Sequence, residues 1–205
     1  MLKARYRLAE DEIRDLSLEK EADLEHPVFG EGNENKPLIM FIGEAPGREE
    51  AACGRPFVGK AGKQLDAMLE LAGIDREAVF VTNAVKYRPV KRNGARLSNR
   101  TPMPLEVAYG LDLLRYEISV VHPHVIAPLG NVPYSAIRLL ADRVFGEKTI
   151  GLAHGMPIVY HIGGEARMIF PLYHPAASIY NRELKPVLEN DLIRLGELVR
   201  SFGVE

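Results

Sequence analysis

The sequence predicts an α/β fold of three layers, an α/β/α sandwich with a mainly parallel sheet between two layers of helices. Short, largely apolar runs recur at 38–42, 79–85 and 124–130, and runs of that kind read as strands buried on both faces. Segments of helical spacing lie between and after them, at 60–72, 104–121 and 131–141. Strands alternating with helices favour parallel pairing with helices on both faces. In such sheets ligands bind beyond the carboxyl ends of the strands. Gly47, Asn83 and the Gly130-Asn131 turn all fall there, so the pattern gathers the chain's motifs on one rim.

The elements follow in order. Residues 8–25 are acidic, with Leu8, Ile13, Leu16 and Leu18 spaced for an amphipathic helix that gives way at Glu25-His26-Pro27. Residues 1–27 thus read as a helical lead-in to one domain that takes the whole chain, 1–205. The apolar-then-turn stretch 28–33 feeds the first central strand. Lys60 to Ala72 carries Leu65, Met68, Leu69 and Ala72 on one face, and Gly73 supplies a stop. Leu111, Leu114 and Ile118 mark the helix from Pro104 to Val121. The next helix runs to Ala141, with Pro133 near its first turn, where proline is tolerated. Residues 151–155 read as a loop. Met156–Ile162 and Ala166–Leu172 form a strand pair around Gly163-Gly164. Leu188, Leu192, Leu195 and Val199 mark a terminal helix, Arg182–Phe202.

Length and composition narrow the classes of function. At 205 residues the chain suits one domain, since domains commonly run ~100–200 residues. An apolar fraction of 46% is ample for a packed core. The net charge of −2 shows no global basic character, so nucleic-acid binding requires a local basic patch. Cys53 is the single cysteine, which excludes an intrachain disulfide and a multi-cysteine metal site. No apolar run approaches the ~18 residues that span a bilayer, and the N-terminus has no segment of signal-peptide length. A cytoplasmic protein without membrane attachment is expected.

The most informative stretch is 37–62. After the first buried strand, Gly43-Glu44-Ala45-Pro46-Gly47 forces a sharp turn that leaves backbone N–H groups free to face a ligand. Glu44, Glu49 and Glu50 put carboxylates at its rim. Taken alone this could be an ordinary exit from a strand, with solvated glutamates. Downstream, Gly54-Arg55-Pro56-Phe57-Val58-Gly59 mounts one aromatic ring between glycines, just before a helix. Asn83 ends the second strand, and its amide offers a donor and an acceptor. His174 precedes a proline in His174-Pro175-Ala176-Ala177, after a strand-like run; His154, in a glycine loop, is its rival.

These three motifs, in this order and spacing, resemble the family 4 uracil-DNA glycosylases, over about Val28 to Leu195. The resemblance implies a uracil-DNA glycosylase-like fold with a central four-stranded sheet. It also implies excision of uracil from DNA by hydrolysis of the N-glycosidic bond. In the implied site Phe57 stacks on the extracted base and Asn83 reads the uracil edge. His174 faces the uracil O2, where negative charge develops as the base departs. Glu44 and Glu50 lie near the attacking water, and Ala45 stands where other glycosylase families carry an aspartate base. Asn99-Arg100-Thr101-Pro102 resembles the family's Asn-Arg-x-Pro segment, which adds Asn99 to the substrate-binding set.

Residues 86–100 hold six basic side chains, Lys86, Arg88, Lys91, Arg92, Arg96 and Arg100, and no acidic one. On a chain of net negative charge such concentration favours phosphate contacts, although a solvated loop has the same composition. Ser178, Ile179 and Tyr180 could wedge into the duplex where the base leaves; the family often carries arginine at the position of Tyr180. The main departure concerns the family's iron–sulfur cluster. Ile13, Leu16 and Tyr87 occupy three of its cysteine positions, and the fourth falls near Gly110. Cluster ligation needs thiolates, so no cofactor is expected, and Ile13, Leu16 and Tyr87 are expected to replace it with an apolar staple. Three readings follow: a uracil glycosylase, a module that binds uracil-containing or damaged DNA without cleavage, and a glycosylase for another base such as hypoxanthine. A monomer is expected, because a DNA-scanning surface requires no symmetry.

Overall fold

The computed structural model describes residues 1–15, 26–94, 96–144 and 146–202, together with the backbone of 22–23. Helix α1 (Leu2–Arg14) buries Leu2, Ala9 and Ile13. It begins earlier than its leucine spacing suggests, and Leu16 and Leu18 lie outside the described residues. Two short strands, β1 (Ala22–Asp23) and β2 (Glu31–Gly32), precede β3 (Ile39–Gly43), which is buried along its whole length. Helix α2 (Arg48–Cys53) and helix α3 (Lys60–Ala72) follow, and Gly73 ends α3 in the left-handed conformation that glycine adopts without penalty. After a single 3-10 turn come β4 (Val79–Asn83), again wholly buried, and a hairpin of β5 (Arg88–Asn93) and β6 (Arg96–Asn99). Helix α4 (Pro104–Val121), β7 (Val125–Pro128) and α5 (Asn131–Leu140) lead to the short α6 (Ile150–Ala153). The chain closes with β8 (Ile158–Ile162), β9 (Glu165–Ile169), α7 (Ala177–Tyr180) and α8 (Leu184–Arg200).

The central sheet has the order β2-β4-β3-β7-β9-β8. Its four inner strands, β4, β3, β7 and β9, are parallel, while β2 and β8 pair antiparallel at the two edges. The sheet therefore has six strands and not the four expected. At one edge the two-residue turn Gly163-Gly164, both at positive φ, folds β8 back against β9; at the other, β2 pairs with β4 from far along the chain.

Alternate side chains of the inner strands enter two separate cores. Met40, Ile42, Phe80 and Ile126 pack with residues of α1, α4 and α5. Ile39, Phe41, Val79, Val81 and Val125 pack with residues of α3 and α8. This two-sided burial explains the largely apolar runs, and it gives the three layers their order. The basic stretch after β4 is a second, three-stranded sheet in which β5 pairs with β1 and β6, standing beside the carboxyl end of the main sheet.

Candidate active site

The site begins where β3 and β4 end side by side. Gly43 and Asn83 are register partners in the parallel ladder. A Cβ at Gly43 would overlap Asn83 Oδ1 and stand 2.7 Å from Phe57 Cζ. The missing side chain is what lets a buried amide and an aromatic ring meet across the end of the strand. Phe57 holds a left-handed backbone, φ 55°, a conformation that costs a non-glycine residue on the order of 1–3 kcal/mol. The surroundings impose it. Gly62, in the first turn of α3, packs so closely on the Phe57 carbonyl that a Cβ there would overlap it.

The loops flanking α2 are clamped by Glu50. Its carboxylate accepts the Gly47 N–H at 3.2 Å and the Gly59 N–H at 2.8 Å, which ties the turn after β3 to the start of α3. Glu44 sits differently: burial raises its pKa, and a hydrogen bond from Thr101 opposes the rise. Asn99, at the end of β6, accepts the Arg88 Nε–H through Oδ1 at 2.7 Å.

His174 reaches the same rim from the other side. Beyond β7 and β9 the parallel pairing continues through Leu129 and Leu172, and the chain then turns at His174-Pro175. His174 Nδ1 accepts the Ala176 N–H at 3.1 Å. That bond assigns the lone pair to Nδ1 and leaves the proton on Nε2. Burial holds the imidazole pKa down to about 4, against the opposing pull of the Glu50 carboxylate. At neutral pH His174 is therefore an uncharged ring with one N–H to donate. The rival, His154, is engaged elsewhere, bonded through Nδ1 to Asp191 at 2.6 Å and packed on the Tyr173 ring.

A cleft of about 660 Å³ brings these groups together; Ala45, Glu50, Phe57, Asn83, Asn99 and His174 line it. The volume suits a small ligand. Ile179 and Tyr180 stand at its wall on α7, half-exposed and almost fully exposed respectively. Ser178 turns away from solvent: it is buried, donates to the Pro175 carbonyl at 2.9 Å and bonds Gln64. Its role in the structure is to anchor α7.

The six basic residues divide. Lys91, Arg92 and Arg96 are exposed on the hairpin, and Arg96 also lines the cleft. Arg88 is buried in the cleft wall. Arg100 grips Glu106 through both terminal guanidinium nitrogens, at 2.6 and 3.0 Å. Lys86 is enclosed in the core beside Glu117, where no phosphate can reach it. Composition could not separate these six, because exposure is decided by the hairpin's alternation and by what α4 offers as partners. Arg48 and Lys60 were missed by the sequence reading: both are exposed, and both line the cleft. Each is an isolated base within a glycine motif, so no charge run announces it.

The positions implied for a cluster also converge. Ile13, Tyr87 and Gly110 line a cavity of about 290 Å³ between α1 and α4, and Ile13 and Tyr87 belong to one core. Gly110 lets α4 approach so closely that a Cβ there would overlap the Ala84 carbonyl. An isoleucine, a tyrosine and a glycine supply no thiolate, and Cys53 lies in α2. Among the described residues no group of three or more metal-ligating side chains occurs. The residues present do not fit an iron–sulfur cluster. Among the same residues no helix is long and apolar enough to cross a membrane.

A model of the uracil DNA glycosylase superfamily matches residues 29–193. A Type-4 uracil-DNA glycosylase of Saccharolobus solfataricus is 40% identical over 175 residues, covering 85% of this chain and 76% of that protein. The Type-4 enzyme of Archaeoglobus fulgidus is 37% identical over 193 residues, 92% of each chain. That of Thermotoga maritima is 37% identical over 179 residues, 86% of this chain and 84% of its own. The resemblance drawn from three motifs thus extends along the sheet, its helices and the cleft, and the chain belongs to the uracil-DNA glycosylase superfamily.

Proposed function

We propose that the protein is a monofunctional DNA glycosylase that hydrolyses the N-glycosidic bond of deoxyuridine in DNA and leaves an abasic site for base excision repair. The observation that carries this reading is the meeting of Phe57, Asn83 and His174 around one cleft at the carboxyl rim of the sheet. A uracil turned out of the stack enters the cleft and stacks on Phe57, a contact worth ~1–3 kcal/mol for any base. Asn83 supplies the discrimination. A buried amide matched to one pyrimidine edge rejects bases that leave its donor or acceptor unpaired.

As the bond to the sugar breaks, negative charge collects on the departing base and positive charge on the sugar. The Nε2–H of His174 meets the developing charge at the uracil O2. A neutral, preorganised donor of this kind is worth ~10²–10³ in rate. Water then attacks the sugar, held by a carboxylate of the loop after β3. Glu50 lines the cleft, and its two backbone hydrogen bonds leave acceptor capacity for a water. Glu44 is the one whose pKa is raised, the direction that suits a general base. Substituting each with glutamine separates the two. Lys91, Arg92, Arg96 and Arg88 hold the phosphates, with Arg48 and Lys60 beside them, and Ile179 and Tyr180 occupy the space the base leaves. The enzyme acts as a cytoplasmic monomer.

The test is an oligonucleotide carrying one deoxyuridine, incubated with protein and then cleaved at abasic sites by alkali. Wild type yields a band that falls at least tenfold in His174→Ala and in Asn83→Ala. Binding without a band would favour the non-cleaving module. A band only with hypoxanthine or another lesion would keep the chemistry and change the substrate.

A further inference from the structure

Lys86 lies three residues beyond β4 and is almost completely buried, at 2% exposure. Its ammonium makes three hydrogen bonds: to Thr82 Oγ1 at 2.7 Å, to Glu117 Oε2 at 2.7 Å and to the main-chain carbonyl of Asn83 at 2.6 Å. An ammonium has three N–H groups, so all are used. Glu117, on α4 and wholly buried, also accepts from Thr82 Oγ1 at 3.0 Å and from Tyr6 Oη of α1 at 2.9 Å. The network closes on itself, with every member bonded.

A buried ion pair is a poor source of net stability, because desolvation offsets its attraction and apolar residues of similar volume often do as well. Its geometry says what it does here. The carbonyl of Asn83 and the N–H of Ala84 belong to one peptide unit. Lys86 holds the first, and the Gly43 carbonyl accepts the second at 2.9 Å. That peptide plane is fixed at both polar ends, and with it the direction in which the Asn83 side chain leaves the strand. A misplacement of about 1 Å at a reacting group can cost on the order of 10²-fold in rate.

We propose that Lys86, anchored by Glu117, is a positioning residue that aims the Asn83 amide at the base. The proposal rests on the glycosylase reading for its kinetic test, and one arm of the experiment is independent of it. The variant is Lys86→Met/Glu117→Gln, which removes both charges together and keeps acceptors for Thr82 and Tyr6. Tyr6→Phe serves as control, since it cuts the network at the end far from Asn83.

In single-turnover excision of uracil the double variant falls at least tenfold, and Tyr6→Phe stays within twofold of wild type. Placed in an Asn83→Ala background, the double substitution costs no further rate. An equal loss in both backgrounds would mean a merely structural role and overturn the proposal. In the second arm the Asn83 side-chain amide resonances are identified by their absence in Asn83→Ala. They shift or broaden in the double variant and not in Tyr6→Phe. Unmoved resonances in the double variant would overturn positioning whether or not wild type excises uracil. A wild type that excises nothing while those resonances move would defeat the substrate reading and leave the positioning of Asn83 by Lys86 standing.

Discussion

The cleft and the flank beneath α1 and α4 meet at the end of β4, and they treat polar groups in opposite ways. On the flank, Lys86, Thr82, Glu117 and Tyr6 satisfy one another within the core. On the cleft side, Phe57 sits in a strained backbone, the Asn83 amide is buried against Gly43, and His174 keeps one N–H free of the Ala176 bond. On the flank these four groups complete one another, whereas Asn83 and His174 line an open cleft. The family's way of bracing the flank is a metal cluster, which this chain lacks the thiolates to bind. Ile13 and Tyr87 stand at two of the positions implied for its ligands and belong to one core, and Lys86, next to Tyr87 in the chain, pairs with Glu117.

The comparison breaks most readily at His174. The proposed role places its Nε2–H at the developing charge, so His174→Ala is expected to lower single-turnover excision by ~10²-fold or more, with little change in affinity for DNA bearing an abasic-site analogue. The same residue makes stability depend on pH. The free imidazole takes up its proton near 6.5 and the folded one only near 4. Between those values the unfolded chain binds more protons, so stability falls as pH drops from 6.5 toward 4 and does not change on this account above 6.5. Denaturant midpoints measured across that window should show the slope in wild type and a shallower slope in His174→Ala; identical slopes would mean His174 is not buried neutral.

Gly43→Ala tests whether the approach of ring and amide matters. The added methyl would press on both Asn83 Oδ1 and Phe57 Cζ, so excision should fall by at least an order of magnitude while circular dichroism remains native. A variant that keeps full activity would show that Phe57 and Asn83 need not meet. A smaller effect is expected at the hairpin. Lys91→Ala and Arg96→Ala should each weaken DNA binding for all sequences alike, and each should flatten the salt dependence by a slope of ~1. The excision rate at saturating enzyme should be unchanged.

How much of this was legible beforehand depended on the kind of signal. β3, β4, α3 and α4 were readable because two-sided burial writes a largely apolar run and one-sided helical packing writes a period. The edge strand β2, at two residues, and the helices α2, α6 and α7, at four to six, are too short to write either. The hairpin carries a turn signal at Asn93-Gly94, but the charge run around it was read for phosphate contacts and not for strand pairing. Asn83, Phe57 and His174 were found through motifs. The fates of Lys86 and Ser178 were not, because a buried lysine and a solvent-facing one look alike until the partner is known. Glu117, 31 residues further on, is that partner.

The smallest expected effect lies on the flank, at Tyr87. Its ring belongs to the core, while its hydroxyl is buried and makes no hydrogen bond within the described residues. Burial and the nearby Glu106 carboxylate both push its pKa upward, so the group stays protonated. A buried hydroxyl without a partner costs on the order of 1–3 kcal/mol if no water reaches it, and close to nothing if one does. Tyr87→Phe keeps the ring and removes the hydroxyl. If the flank is an apolar staple, Tm should rise by a few degrees or stay level, and uracil excision should not change. Purified wild type and variant should both lack stoichiometric iron. A clear fall in Tm would mean that the hydroxyl holds an ordered water bridging α1 to α4, and the staple would then be a polar one.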